Sequence, residues 1–533
     1  MRLVLSFAAA GLIASLAGAA APQASYTNPI LFADYSDPDM IRVGRDYYLI
    51  ASSFHFSPGI PILKSRDLVH WTIIGHVLPK LPFAPEYDMP GPHMLTDKIS
   101  KPVGGTRYAG GVWAPSIRHH AGKFYVYWAT IDEGVFMATA TRAEGPWSAP
   151  VKVIDQKMLE DPCPFWDDDG QAWLVHSRHG AGPLILHRMS ADGTRVLDAG
   201  EVIVEDKVNL PILEGPKFYK RNGYYYIFAP FGGVEKGAQV ALRSRNIRGP
   251  YEQRVVLEQG STKLEGPHQG GWVETPSGQG WFAHFNSTGA FGRIVHLEPV
   301  KWVDDWPVMG DPIPGKTSGQ PVASHAMPDT GSPPTRDRLQ DSDEFSDAKL
   351  GVQWEWNHNP DDSAWSLTKR PGYLRLSAGP AEHLVTARNT LTQILQGPSR
   401  MTTRIDITGM KDGQRAGLAL FGVRPSWIGV VRDKGAAHVT LATEGDETPG
   451  PAIAAKAIEL RAEVGIEQTV RYSYSLDGKT FTPMGSAIQL ARFSWWKGSR
   501  PALFSFSRAA PGSARGWIDA DWFRVERLPA KAE

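Results

Sequence analysis

One pattern recurs five times along the chain and limits its fold more than any other feature. A proline preceded within two residues by an acid or a Trp leads into an extended segment, a polar or glycine-containing turn, and a strand rich in aromatic residues. The copies open at Ser36-Asp37-Pro38, Trp113-Ala114-Pro115, Glu160-Asp161-Pro162, Glu214-Gly215-Pro216 and Glu265-Gly266-Pro267. They lead to Tyr47-Tyr48-Leu49-Ile50, Phe124-Tyr125-Val126-Tyr127, Trp173-Leu174-Val175, Tyr224-Tyr225-Tyr226-Ile227 and Trp281-Phe282. The prolines at 38, 115, 162, 216 and 267 lie 77, 47, 54 and 51 residues apart. A hairpin unit cannot bury its apolar face alone, and a period near 50 residues suits radial stacking of small sheets. Outer-strand signals recur as well, at Ser65-Arg66-Asp67-Leu68-Val69-His70-Trp71, Gly145-Pro146-Trp147 and Gly249-Pro250-Tyr251. The spacing predicts an all-β chain that begins with five four-stranded blades, a β-propeller within residues 22–315.

After residue 315 the pattern stops. Thr, Ser, Gly, Pro and Asp dominate residues 316–336, which reads as a linker. Short runs such as Tyr373-Leu374-Arg375-Leu376 and Thr469-Val470-Arg471-Tyr472 then alternate with turns, and no helical apolar period is sustained. Residues 337–533 are therefore expected to form a second β domain, a sandwich. At the other end, residues 3–21 are apolar and Ala-rich, follow Arg2 and end in Ala17-Gly18-Ala19-Ala20-Ala21. This predicts a signal peptide at 1–21, with a periplasmic or secreted product and no membrane insertion once it is removed; an uncleaved anchor is the alternative. Cys163 is the single cysteine, so no intrachain disulfide and no Cys-rich zinc site can form.

Lys+Arg and Asp+Glu both number 56, which leaves no net field for a polyanion and argues against nucleic acid as a partner. The 18 Trp, 16 Tyr and 21 Phe offer flat apolar platforms of the kind that suit sugar rings. The string Gly310-Asp311-Pro312-Ile313-Pro314-Gly315-Lys316-Thr317 satisfies a phosphate-loop pattern. Pro312 and Pro314 remove two of the backbone donors such a loop needs, and Ser318-Gly319-Gln320-Pro321 cannot continue as a helix. His119-His120 would point to opposite faces of a strand and reads as a surface pair.

The acids of the repeat carry more weight. Innermost propeller strands converge on one channel, so Asp37, Asp161 and Glu214 become neighbours although they are distant in sequence. Three carboxylates around one pocket repel and raise at least one pKa. Cleavage of a glycosidic bond needs one carboxylate ionised and one protonated, in environments that separate them.

On these motifs the chain resembles glycoside hydrolase family 43, the β-xylosidase and α-L-arabinofuranosidase group. The resemblance rests on Tyr26-Thr27-Asn28-Pro29-Ile30-Leu31 before Asp37-Pro38, on Ser52-Ser53-Phe54-His55-Phe56-Ser57-Pro58-Gly59, and on Trp113-Ala114-Pro115. Ser342-Asp343-Glu344-Phe345, Asn357-His358-Asn359-Pro360-Asp361 and Ala387-Arg388-Asn389-Thr390-Leu391 resemble the concanavalin-like β-sandwich of exo-acting members. The resemblance implies Asp37 as general base, Glu214 as general acid, and Asp161 as the carboxylate that tunes and orients the acid. It implies further that Arg293 hydrogen-bonds the terminal sugar, that Phe54 and Trp113 wall it, and that His268, a channel histidine that in some members helps hold a central ion or water, also contacts substrate. No cofactor is required; the sequence does not tell whether a metal is bound, and a structural calcium ion is compatible with it. The implied activity is exo-acting, inverting release of xylose, or alternatively arabinofuranose, from hemicellulose oligosaccharides. A non-catalytic sugar-binding propeller is the reading from outside enzymology. A retaining fructosidase is disfavoured because Ser36-Asp37-Pro38 and Glu214-Gly215-Pro216 do not resemble that group's motifs. Oligomeric state is not legible.

Overall fold

The computed structural model describes residues 24–529 except 92–93, 96–101, 181, 493 and 511–512. The expected signal peptide lies outside the described residues. Among those residues the only helices are four short 3-10 turns, and all other regular structure is β.

Five antiparallel sheets form the blades. Blade one comprises Asp39–Val43, Asp46–Ile50, Gly59–Ser65 and Thr72–Leu78. Blade two comprises Trp113–His120, Lys123–Thr130, Gly134–Ala140 and Val151–Ile154. Blade three runs from Leu159–Trp166 through Ala172–Arg178 and Leu184–Met189 to Glu201–Val204. Blade four runs from Lys217–Arg221 through Tyr224–Phe231 and Ala238–Ser244 to Glu252–Leu257. Blade five contains His268–Glu274, Gly280–Ser287, Arg293–Val303 and Trp306–Met309. The first two strands of every blade are the hairpin of the repeat, and apolar clusters fill the gaps between adjacent blades.

The repeat proline has a structural cause. The residue before it is left-handed in all five blades: Asp37 (φ 54), Ala114 (φ 33), Asp161 (φ 58), Gly215 (φ 58) and Gly266 (φ 59). A left-handed residue turns the chain at the channel, and proline then sets the φ of the next residue.

Ser25–Thr27 pairs antiparallel with Ser324–Ala326, and Leu31 bridges Val295 of blade five, which ties the ring shut. The linker segment 316–336 is consequently not loose. Gly319–Gln320 pairs with Asp311–Pro312 and touches the edge of blade four at Leu257, while Lys316 pairs with Glu258 at 2.8 Å. The phosphate-loop string is a strand and a turn with no helix after it.

The second domain is a sandwich. One sheet contains Gln414–Phe421, Ser426–Asp433, Ala436–Thr443 and Arg500–Ser507, and the other is centred on Ser399–Asp406, Ala457–Val464 and Trp517–Arg527. In Ala457–Val464 every second residue is buried, the period of a strand with one wet face. Leu418, Ile428 and Leu503 meet Ile405, Leu460 and Phe523 in the core between the sheets.

The two domains share both a sheet and a core. Phe56–Ser57 of the propeller adds itself to the sandwich strand Glu355–Asn357. The Asn359 side chain exchanges hydrogen bonds with the backbone of Leu81, and Tyr108 donates to the Val385 carbonyl at 2.6 Å. Ala290, Phe291 and Ile294 of blade five belong to the sandwich core, and Phe56 packs with Trp427 and Phe504. Deleting everything after Arg336 is therefore expected to bare these apolar groups and give an aggregating protein, inactive even on small aryl glycosides. Size-exclusion chromatography with an activity assay checks this; a monomeric, fully active truncation would contradict it.

Candidate active site

A cavity of about 270 Å³ lies at the channel mouth, lined among others by Asp37, Phe54, Trp113, Asp161, Glu214, His268 and Arg293. The structure thus brings together all seven residues singled out from the sequence.

The two aspartates are held in the same way. Each occupies the left-handed position of its blade, a conformation that costs roughly 1–2 kcal/mol for a residue with a Cβ. A serine at the end of the neighbouring hairpin strand secures each one. Ser52 donates to Asp37 Oδ2 at 2.6 Å and accepts from the Ala114 amide at 2.7 Å. Ser177 donates to Asp161 Oδ2 at 3.0 Å, and the Gly215 amide donates to the same oxygen at 2.8 Å. The other Asp37 oxygen accepts from Arg293 Nη1 at 2.8 Å. In blade four, glycine takes the left-handed position, because a Cβ at 215 would lie 2.8 Å from Gln269 Cδ and 2.9 Å from Pro230 Cδ. The acid consequently moves back one position, and the longer Glu214 side chain reaches the pocket.

The surroundings of the three differ. Asp37 is ion-paired with Arg293 at 2.8 Å. Burial, and then the charge of Glu214, push Asp161 up to about 6. Oxygens of Glu160, Asp161 and Glu214 lie within 4.8 Å of one another, a group that does not include Asp37. Glu214 keeps a partly exposed side chain and faces His268 Nε2 at 3.0 Å, so it is the member open to a ligand.

The folded value of Asp161 lies above that of an unfolded aspartate, so its charged form destabilises the fold. That cost is absent below about pH 4 and full above about pH 6. Asp161→Asn can present its one carbonyl oxygen to both Ser177 and Gly215. It is therefore expected to raise Tm by about 2–4 °C at pH 7, with the gain fading toward pH 4, while activity falls. Thermal melts at several pH values check this.

Glu160, Ser52 and Ser177 give no signal of their own in the sequence. Glu160 lies inside the repeat string Glu160-Asp161-Pro162, yet its buried carboxylate also lines the cavity and accepts from His179 at 3.2 Å. Ser52 and Ser177 carry no motif beyond their place at a strand end. Trp496 comes from the sandwich. By composition the run at 493–496 reads either as a docking contact on the propeller or as a core strand of the sandwich; Ser494 and Lys497 bridge each other, and both tryptophans are left-handed in the turn between them, which makes it the docking contact. Trp495 stacks on Tyr108 with ring centroids 4.0 Å apart, and Trp496 meets the edge of Trp113 at 5.5 Å. Trp113 in turn lies 5.8 Å from Phe54, completing an aromatic wall.

The carboxylates Glu160, Asp161 and Glu214 are the one group of three among the described residues placed to hold a cation. They fit the admitted calcium poorly. Calcium takes six to eight oxygens, whereas Asp161 Oδ2 already accepts two hydrogen bonds and Glu214 faces a histidine.

Comparison with known proteins supports the same conclusion. The family model described as glycosyl hydrolases family 43 matches residues 26–307, and that of the beta xylosidase C-terminal concanavalin A-like domain matches residues 342–526. A protein of Xylanibacter ruminicola carrying the β-xylosidase name is 43% identical over 479 residues, covering 89% of this chain and 85% of that one. A β-xylosidase of Formosa agariphila is 36% identical, covering 95% of this chain and 91% of its own. Among solved structures, a bifunctional GH43-CE protein of Bacteroides eggerthii superposes with a TM-score of 0.83 at 30% identity over 95% of this chain, which spans 64% of that protein's length. With its three carboxylates at the mouth of a five-bladed propeller and a concanavalin-like sandwich closing one side, the chain belongs to glycosyl hydrolase family 43, enzymes that hydrolyse O-glycosyl bonds without a cofactor.

Proposed function

We propose that this enzyme is an exo-acting, inverting β-xylosidase that trims single xylose units from hemicellulose oligosaccharides. The observation that carries the reading is the difference between the carboxylates. Asp37, paired with Arg293, is the base that activates water, and Glu214 is the acid that protonates the leaving oxygen. Asp161, beside Glu214 and raised toward neutrality, tunes and orients the acid. Arg293, His268, Phe54 and Trp113 would hold the terminal sugar. Exo action is supported by size and closure. The cavity, at about 270 Å³, is smaller than the roughly 300–1,000 Å³ of pockets that take drug-sized ligands, and Trp496 walls one side. The β-xylosidase names of two relatives support the xylose reading over the arabinofuranose one. A purely sugar-binding propeller would not need an Asp161 that retains a proton into the mildly acidic range. Export rests on the leader at residues 1–21.

NMR of the first-formed sugar from an aryl β-xyloside is expected to show the inverted, α anomer. Retention would remove Asp37 from the role of base. Side-by-side rates on nitrophenyl β-xyloside and nitrophenyl α-L-arabinofuranoside are expected to favour the xyloside; the opposite ranking would make the enzyme an arabinofuranosidase.

A further inference from the structure

Asp34 is buried to 3% exposure, three residues before Asp37, and its carboxylate meets three separate parts of the molecule. Oδ1 accepts the Arg293 amide at 2.9 Å and the Ser36 hydroxyl at 3.2 Å. Oδ2 accepts the Gly498 amide of the sandwich at 2.9 Å. Lys497, buried to 2%, donates its ammonium to the Asp34 backbone carbonyl at 3.1 Å and lies 3.7 Å from Oδ2. The same ammonium stands 5.7 Å from the centre of the Phe54 ring.

The packing leaves no slack. A Cβ at Gly292, which is left-handed (φ 77), would lie 2.4 Å from Asp34 Cγ, and a Cβ at Gly498 would lie 2.6 Å from the Gly292 amide nitrogen. The sandwich backbone therefore rests directly on the backbone that carries Arg293. Arg293 and Asp37 then pair at 2.8 Å, so an error in either backbone passes straight into that contact.

We infer that Asp34 is a positioning residue for the water-activating carboxylate, and that through Lys497 and Gly498 it makes the docking of the sandwich set the Arg293–Asp37 geometry. The inference rests on Asp37 being the base. It assigns the second domain a role in the chemistry distinct from Trp496, which walls the pocket.

Kinetics of the full-length enzyme test it, on nitrophenyl β-xyloside and on xylobiose. Asp34→Asn keeps the volume and one acceptor oxygen and is expected to lower kcat about 10-fold, and Asp34→Ala about 100-fold, the scale of loss from a small misplacement of reacting groups. KM should change less than about twofold. The factor should be equal on both substrates, since water activation is needed whatever the leaving group. Lys497→Met should cost about 10-fold in kcat, and the double variant with Asp34→Asn should lose no more than the worse single. A wild-type kcat in folded Asp34→Asn, a loss confined to KM or Tm, or full additivity of the pair would overturn the inference. If Asp34→Ala does not fold, Asp34→Asn and Lys497→Met decide. An active Asp37→Ala would instead overturn the assignment of the base, a result that differs from an inactive Asp37→Ala beside a normal Asp34→Asn.

Discussion

Asp37→Ala is expected to lose about 10⁴-fold in kcat on every substrate, the upper range for a general base. The loss is large because no neighbour can replace it. Asp161 is bound by Ser177 and Gly215 and raised toward neutrality, and Glu160 is engaged with His179. Removing the carboxylate leaves the sugar-binding walls of the cavity in place, so a neutral sugar should still bind while water goes unactivated. Single-turnover rates on an activated aryl xyloside and on xylobiose should fall by the same factor. A variant that keeps more than a few per cent of kcat on either would show that another group activates the water.

Glu214→Ala should behave differently, and the difference is diagnostic. An acid matters in proportion to how poorly the leaving group departs unaided, so the loss should be about 10³-fold on xylobiose and under about 10-fold on an aryl glycoside with an activated phenol. A pH signature accompanies it. Asp161, beside Glu214, loses its proton as pH rises through about 6, so the wild-type rate on xylobiose should decline on the alkaline side. In Glu214→Ala, the rate on the activated phenol should lose that alkaline limb, because no proton is donated. Equal losses on both substrates, or an unchanged limb, would take Glu214 out of the acid's role.

Much of the catalytic half was legible because a propeller turns sequence repetition into spatial convergence. Once five hairpins open at equivalent prolines, the residues beside those prolines must meet at the channel, and Asp37, Asp161 and Glu214 are such residues. Trp113 belongs to the same set, since Trp113-Ala114-Pro115 opens blade two. The hairpin turns were equally readable, because local turn chemistry decides them: all five lie where Gly, Asp, Asn or Ser interrupts the aromatic runs.

What sequence could not show depends on contacts between distant segments. Ser52 and Ser177 look like any serine at a strand end until the neighbouring left-handed aspartate is placed beside them. Asp34 gives no signal of its own, because its partners Arg293 and Gly498 are 259 and 464 residues away. The run holding Trp495 and Trp496 reads from sequence either as a core strand or as a docking contact, and the left-handed turn between Ser494 and Lys497 decides for the propeller. Local preference and repeat period therefore determined the blades, the turns and the three acids. Which oxygen of each acid is hydrogen-bonded, which one retains a proton, and how far the sandwich reaches into the pocket were decided by burial and close packing, and these exist only once the two domains are folded against each other.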